Sequence, residues 1–162
     1  MPGKLLVYIT FKRALIPLCL PALILASCAT QRPVADQPAG FAEFSGGSFY
    51  QAVSPEGVAL RIRSIENKPY QTLEFWSEAL KVHLLKAGYA LITEDAFSAP
   101  VGEGIYFEWV APVQGDDWIF LTALTSSDTD IVLAEAAGEY ALYQEYRDSL
   151  MTGIASIHLS KN

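Results

Sequence analysis

Three runs decide the fold: Ile105-Tyr106-Phe107-Glu108-Trp109-Val110, Trp118-Ile119-Phe120-Leu121-Thr122-Ala123-Leu124 and Ile131-Val132-Leu133-Ala134-Glu135-Ala136. In the first, Ile105, Phe107 and Trp109 alternate with Tyr106, Glu108 and Val110, the period of two that a strand presents to its two faces. Gln114-Gly115-Asp116-Asp117 and Ser126-Ser127-Asp128 separate the runs, and both are turn chemistry. Short polar turns between consecutive strands predict an antiparallel meander. A further strand is expected upstream over 89–97, joined by a turn at Pro100-Val101-Gly102.

Working outward, the period changes to that of a helix over 71–87. Leu73, Trp76, Leu80, Leu84 and Ala87 fall on one stripe, Glu74, Glu78 and Lys81 on the other side, and Gly88 suits the C-terminal stop. Asn67-Lys68-Pro69 breaks the pattern before it. Earlier still, Val58, Leu60 and Ile62 alternate with Arg61 and Arg63, which predicts a half-buried strand. Ser54-Pro55-Glu56-Gly57 is a turn with Pro second and Gly fourth, so a strand over 48–53 becomes its hairpin neighbour. A closing helix is expected from Gly138-Glu139 to about Leu159, with Tyr143, Leu150, Ile154 and Ile157 as its stripe. Gly153 inside it costs roughly 1 kcal/mol against Ala and is expected to mark close approach to the sheet.

The order ββαββββα is an α+β layout, an antiparallel sheet of about six strands covered by two helices. The Phe49-Tyr50 strand before Pro55-Glu56-Gly57, the strand from Ile131 to Ala136 and the helix ending Ile154-Ala155-Ser156-Ile157 resemble the PsbP-like α-β-α sandwich family over about residues 48–160. The resemblance implies a non-enzymatic binding or assembly module.

The N-terminus carries a different message. Lys4, Lys12 and Arg13 precede an apolar run from Ala14 that closes on Leu25-Ala26-Ser27-Cys28. A positive region, a short apolar region and small residues before a cut mark a secretory signal peptide. The run from Ala14 to Ala26 would reach roughly 20 Å as a helix, short of a ~30 Å hydrocarbon core, and it contains Pro17 and Pro21. A retained membrane helix is therefore the weaker reading. The four residues resemble the lipobox of bacterial lipoproteins. That resemblance implies that the Cys28 sulfur receives a diacylglycerol and that a dedicated peptidase, recognising Leu25, Ala26 and Ser27, cuts before Cys28. Ala29 stands where an aspartate would signal inner-membrane retention in enteric bacteria, so the resemblance implies an outer-membrane lipoprotein facing the periplasm. The expected organisation is a signal peptide over 1–27, a lipidated cysteine and flexible tether over 28–47, and a globular domain over 48–162. At random-coil dimensions the tether would hold the domain on the order of 25 Å from the bilayer, with Phe41 and Phe44 able to dock as an ordered arm.

Cleavage would leave 135 of the 162 residues, one domain with chain enough for a core. It would remove Lys4, Lys12 and Arg13 from the 11 basic residues and none of the 18 acidic ones, leaving a net charge of −10. That excludes a nucleic-acid partner, which needs a basic face, and gives no polybasic patch for anionic lipid. Membrane attachment would run through the acyl chains. Cys19 would leave with the signal, so no internal disulfide is expected.

Chemistry-bearing patterns are sparse. His83 and His158 lie on helices away from any nucleophile elbow. Asp116-Asp117 and Asp128-Thr129-Asp130 are turn carboxylates without the ligand count of a calcium loop, and the mature chain lacks the clustered His and Cys of a zinc site. Neither a metal nor a cofactor is expected. Glu103 and Glu108 are the carboxylate pair a glycosidase reading would use, although alternation places Glu108 on the solvent face of its strand. Tyr140, Tyr143 and Tyr146 crowd one end of the last helix and form the candidate interface. The expectation is a non-enzymatic domain that binds or scaffolds another envelope component. A lipid-anchored hydrolase of envelope glycan or lipid, with a carboxylate site, is the first alternative. A periplasmic small-ligand module is the second, signalled by an apolar pocket between helix and sheet.

Overall fold

The computed structural model describes residues 31–44, 47–113 and 117–160. The elements in order are β1 (Arg32–Val34), β2 (Ala42–Glu43), β3 (Tyr50–Val53), β4 (Ala59–Glu66), α1 (Leu73–Lys86), β5 (Ala90–Ala99), β6 (Gly102–Ala111), β7 (Trp118–Ser126), β8 (Asp130–Glu139), α2 (Tyr140–Ala155) and β9 (His158–Ser160). Seven strands make one antiparallel sheet in the order β2-β3-β4-β8-β7-β6-β5, and β1 pairs with β9 in a separate ribbon. The strands are more numerous than the expected six because β1, β2 and β9 are two or three residues long. Runs that short carry no readable period.

The predicted meander β5-β6-β7-β8 is present, from Ala99↔Gly102 through Ala111↔Trp118 to Ser126↔Ile131, with one register shift between Leu91 and Thr93 of β5. Over β6, β7 and β8 both faces are covered, because α1 and α2 lie on opposite sides, while the edge strand β5 stays largely exposed. Alternation sorts the strands: Ile119, Leu121, Ala123, Val132, Ala134 and Ala136 join Tyr143, Leu150 and Ile154 of α2 in one core. Phe107, Trp109, Leu124, Ile131 and Leu133 join Leu84 of α1, with Trp76 and Leu80 against them, in the other. Each fully buried side chain of this size contributes roughly 1.5–3 kcal/mol.

The helices follow local chemistry. Thr72 caps α1, its Oγ1 accepting from the Phe75 amide at 3.3 Å, and Gly88 beyond the end has φ 91°. α2 stops at Ala155, four residues earlier than the stripe predicts. Ser156 ends it: the hydroxyl donates to Gly153 O at 2.7 Å and accepts from the Asp36 amide at 2.7 Å. The chain then extends, and His158 and Leu159 lie in β9.

That Asp36 contact belongs to a larger departure from expectation. Residues 32–44, expected as a tether in which Phe41 and Phe44 could dock, are an arm that packs on the domain over its whole length. β1 pairs Val34 with His158 and Arg32 with Ser160, β2 pairs Ala42 with Val53, and Ala35 and Phe41 are buried in the α2-side core. Phe41 meets the Tyr146 ring edge-on at 5.3 Å. Gly153 faces this arm and not the sheet, since a Cβ there would stand 2.9 Å from Pro38 Cγ. Burial under the arm, with the Glu43 and Asp36 carboxylates adding to it, pushes the Tyr50 phenol up to about 12.

The sheet has two ends. The lower one holds the β5–β6 turn, the β7–β8 turn and the β4–α1 loop; the upper one holds the β3–β4 turn and the β6–β7 junction. Arg32 lies toward the lower end, its Nη2 donating at 3.3 Å to the carbonyl of Phe49, the residue before β3.

Candidate functional site

On the α2 side, the side chains of Glu108, Tyr143 and Arg147 converge. Glu108 is not on a solvent face: it is 6% exposed, because α2 covers the strand face where alternation alone expected water. Tyr143 Oη donates to Glu108 Oε1 at 2.6 Å, Arg147 Nε donates to the same oxygen at 2.7 Å, and Arg147 Nη2 donates to Oε2 at 3.3 Å. Burial alone would raise the Glu108 carboxyl. The Arg147 and Tyr143 hydrogen bonds and the guanidinium charge outweigh it and hold the carboxyl below its ordinary value. Tyr143 is driven up by burial and then by the carboxylate it touches, and Arg147 is raised chiefly by its hydrogen bond to Glu108. A carboxylate with both oxygens engaged is a lock between helix and sheet. Glu103 cannot complete a glycosidase pair with it. It shares the strand face of Ile105 and Phe107, opposite Glu108, and accepts from Ser98 Oγ at 2.7 Å.

The tyrosine trio does not form one patch. Tyr143 is fully buried, so it is withdrawn from any interface. Tyr146 donates to Glu56 Oε2 at 2.6 Å and packs on the arm, while Tyr140 is 51% exposed. The stripe put Tyr143 inward, and the arm together with Glu56 of the β3–β4 turn accounts for Tyr146. His158 leaves the helix and sits exposed in β9. Asp130 accepts from Ser64 Oγ of β4 at 3.1 Å and from the neighbouring Thr129 Oγ1 at 2.6 Å, which uses its carboxylate within the fold. No group of three metal-ligating side chains converges among the described residues. Leu25, Ala26, Ser27 and Cys28, and the Gln114-Gly115-Asp116 part of the upper turn, lie outside the described residues.

An apolar arrangement able to receive another molecule lies on the α1 side. α1 lies over β6 and β7, while β3 and β4 extend the sheet beyond the helix. Between helix and sheet runs a groove of about 330 Å³, walled by Trp76, Leu80, Leu124, Ile131 and Leu133, with Ile65 at its open side. Glu66 and Lys68, an ion pair, border it at the lower end, and His83 borders it on the helix. Beyond it the face turns polar with the Arg63–Glu135 pair, Nε to Oε2 at 3.2 Å.

Asn67 sets the geometry of this groove and is the residue that sequence reading missed. It is 2% exposed. Its Nδ2 donates to Gln71 O at 3.0 Å and Ser127 O at 2.9 Å. Its Oδ1 accepts from the Gln71 amide at 3.1 Å and from Trp76 Nε1 at 2.8 Å. One amide thus ties the β4–α1 loop, the β7–β8 turn and the groove's indole together. In the sequence Asn67-Lys68-Pro69 signals only a break, since an Asn that staples three segments looks like any turn Asn.

No protein-family model matches the chain, and no curated protein matches it. Among solved structures, it is similar to the solution structure of cyanobacterial PsbP (CyanoP) from Synechocystis sp., with 11% identity, a TM-score of 0.53, and coverage of 83% of this chain and 95% of that one. At this identity the likeness is one of fold, and the PsbP-like sandwich is the architecture of this chain.

Proposed function

We propose that this chain is a cell-envelope lipoprotein, anchored through Cys28 at the outer membrane and facing the periplasm, whose domain binds another envelope component without catalysis. The observation that carries the binding reading is the groove beside α1, where Trp76, Leu80, Leu124, Ile131 and Leu133 wall an apolar slot open to solvent. The component inserts an apolar group there. Engagement of both Glu108 oxygens within the fold supports binding over carboxylate hydrolysis. The anchor rests on the Leu25-Ala26-Ser27-Cys28 box behind its charged and apolar regions. A small-ligand module is the second reading, favoured by a groove volume of about 330 Å³, within the roughly 300–1,000 Å³ of small-molecule sites.

The test uses 12-bromododecanoate as an apolar probe whose bromine quenches tryptophan on contact. Titrated into the domain over 31–162, it is expected to quench saturably, and the quench is expected to vanish in Trp76→Phe and in a folded Leu80→Arg variant. Quenching that never saturates, or that survives both substitutions, would show that the groove is not a binding site.

A further inference from the structure

We infer that the lower end of the domain rests on the lipid bilayer, with the Tyr70 ring and the first turn of α1 at the membrane surface. The inference depends on the proposed acylation of Cys28 and adds the orientation in which that anchor holds the domain. It follows from the length of chain between the anchor and the first fixed residue. Because residues 32–44 belong to the fold, the tether is not the whole of 28–47 but the stretch from Cys28 to Arg32. Four residue steps span at most about 14 Å even when fully extended. Arg32 cannot drift, because β1 pairs it with Ser160 and its guanidinium holds Phe49 O.

The lower end projects as far as that tether reaches. Tyr50 pairs with Ile62, so Phe49 lies at the level of Arg63, and β4 continues to Glu66 before the loop begins. Three residues of strand add roughly 10 Å, and the loop carrying Tyr70 extends beyond them. With Cys28 at the lipid surface, the tether brings Tyr70 to that surface as well. The residues there suit an interface: Tyr70 is 59% exposed and Phe75, in the first turn of α1, is 50% exposed, the amphipathic and aromatic types that sit at headgroup level. Apolarity alone does not choose this end, since Leu91, Ile92 and Val110 are also exposed near the upper end. Tether length chooses it. The groove, bordered below by Glu66 and Lys68, then opens close to the bilayer.

The experiment uses the full chain, exported and processed in a bacterial host, extracted from membranes and reconstituted in phosphatidylcholine vesicles carrying a headgroup nitroxide. With Cys28 acylated, a cysteine introduced at position 70 or 56 is the one thiol available to a fluorophore. The label in Tyr70→Cys is expected to lose most of its emission and the label in Glu56→Cys, in the upper turn, to keep it. A flexible Gly/Ser insert of about twenty residues after Thr30, with a reach on the order of 25 Å, is expected to erase the difference. Equal quenching at the two sites without the insert, or stronger quenching at 56, overturns the orientation while leaving the anchor intact; a protein partner covering Tyr70 would give that same result. Absence of lipid on Cys28 overturns the anchor and this inference together.

Discussion

Replacing Arg147 with methionine is expected to cost about 3–5 kcal/mol, because it leaves the Glu108 carboxylate buried without its cation. The side-chain exposures, 8% for Glu108 and 31% for Arg147, put the pair at the buried end of the range for ion pairs. In a domain whose whole stability is of order 5–15 kcal/mol, that loss moves the midpoint of thermal unfolding down by roughly 10–15 °C. The pH dependence identifies the cause. In the native protein the Glu108 carboxyl is depressed, so its contribution is present above the unfolded carboxyl pKa and is lost as pH falls through the folded one. In Arg147→Met the guanidinium is gone and burial is opposed only by hydrogen bonds such as that from Tyr143, so the carboxyl rises relative to the native protein, and the penalty is present above that raised value and fades as pH falls. Urea unfolding at pH 7 and again near the carboxylate range should therefore find the gap between the two proteins narrowing in acid. A gap that is constant with pH would mean that Arg147 acts through packing of its stem and not through charge. Adding Glu108→Gln to the variant is expected to restore part of the loss, since a neutral amide can still accept from Tyr143.

Starting the chain at Ser48 is expected to be equally damaging. The alternation of elements suggests that start, but the arm over 32–44 supplies Ala35 and Phe41 to the α2-side core and closes the β3 edge with β2. Loss of one buried phenylalanine side chain costs about 3–5 kcal/mol, and the shortened chain also uncovers Tyr50 and frees β9. Chemical unfolding of the chain over 31–162 and of the chain over 48–162 gives the comparison. Equal stabilities would mean that the arm lies on the domain without contributing to it. The Tyr50 phenol offers a second readout: pushed up to about 12 under the arm, it should return toward the ordinary ~10 without it.

What could be read in the sequence divides along physical lines. The meander was legible because Ile105 to Ala136 contains long runs with one period and turn residues between them. The same holds for the stripes of α1 and α2, whose Trp76, Leu84, Tyr143, Leu150 and Ile154 face the sheet as their spacing requires. The placement of Glu108 was not legible, because a period of two says which residues share a face and not whether that face meets water or a helix. Of the arm, docking was expected only at Phe41 and Phe44, and Phe41 is buried while Phe44 is 54% exposed; the rest was not legible because Ala35 and Pro38 are isolated in a Pro- and Gly-rich stretch and are buried by residues far along the chain. The groove had no linear signature. It exists because α1 lies over β6 and β7 and leaves β4 and part of β8 beyond its cover. Among the described residues no helix is long and apolar enough to cross a membrane; the proposed membrane attachment rests on the Cys28 box, and the four-residue step from it to Arg32 bears only on how the domain would be oriented.

Intact-mass spectrometry of the native protein, extracted from its own membranes with detergent, tests that attachment most directly. The account predicts a polypeptide beginning at Cys28, heavier than its sequence by a thioether-linked diacylglyceryl group and a further acyl chain, with no fragment retaining Leu25-Ala26-Ser27. A chain that begins at Met1 with a bare thiol at position 28, or a soluble chain cut elsewhere, would contradict it.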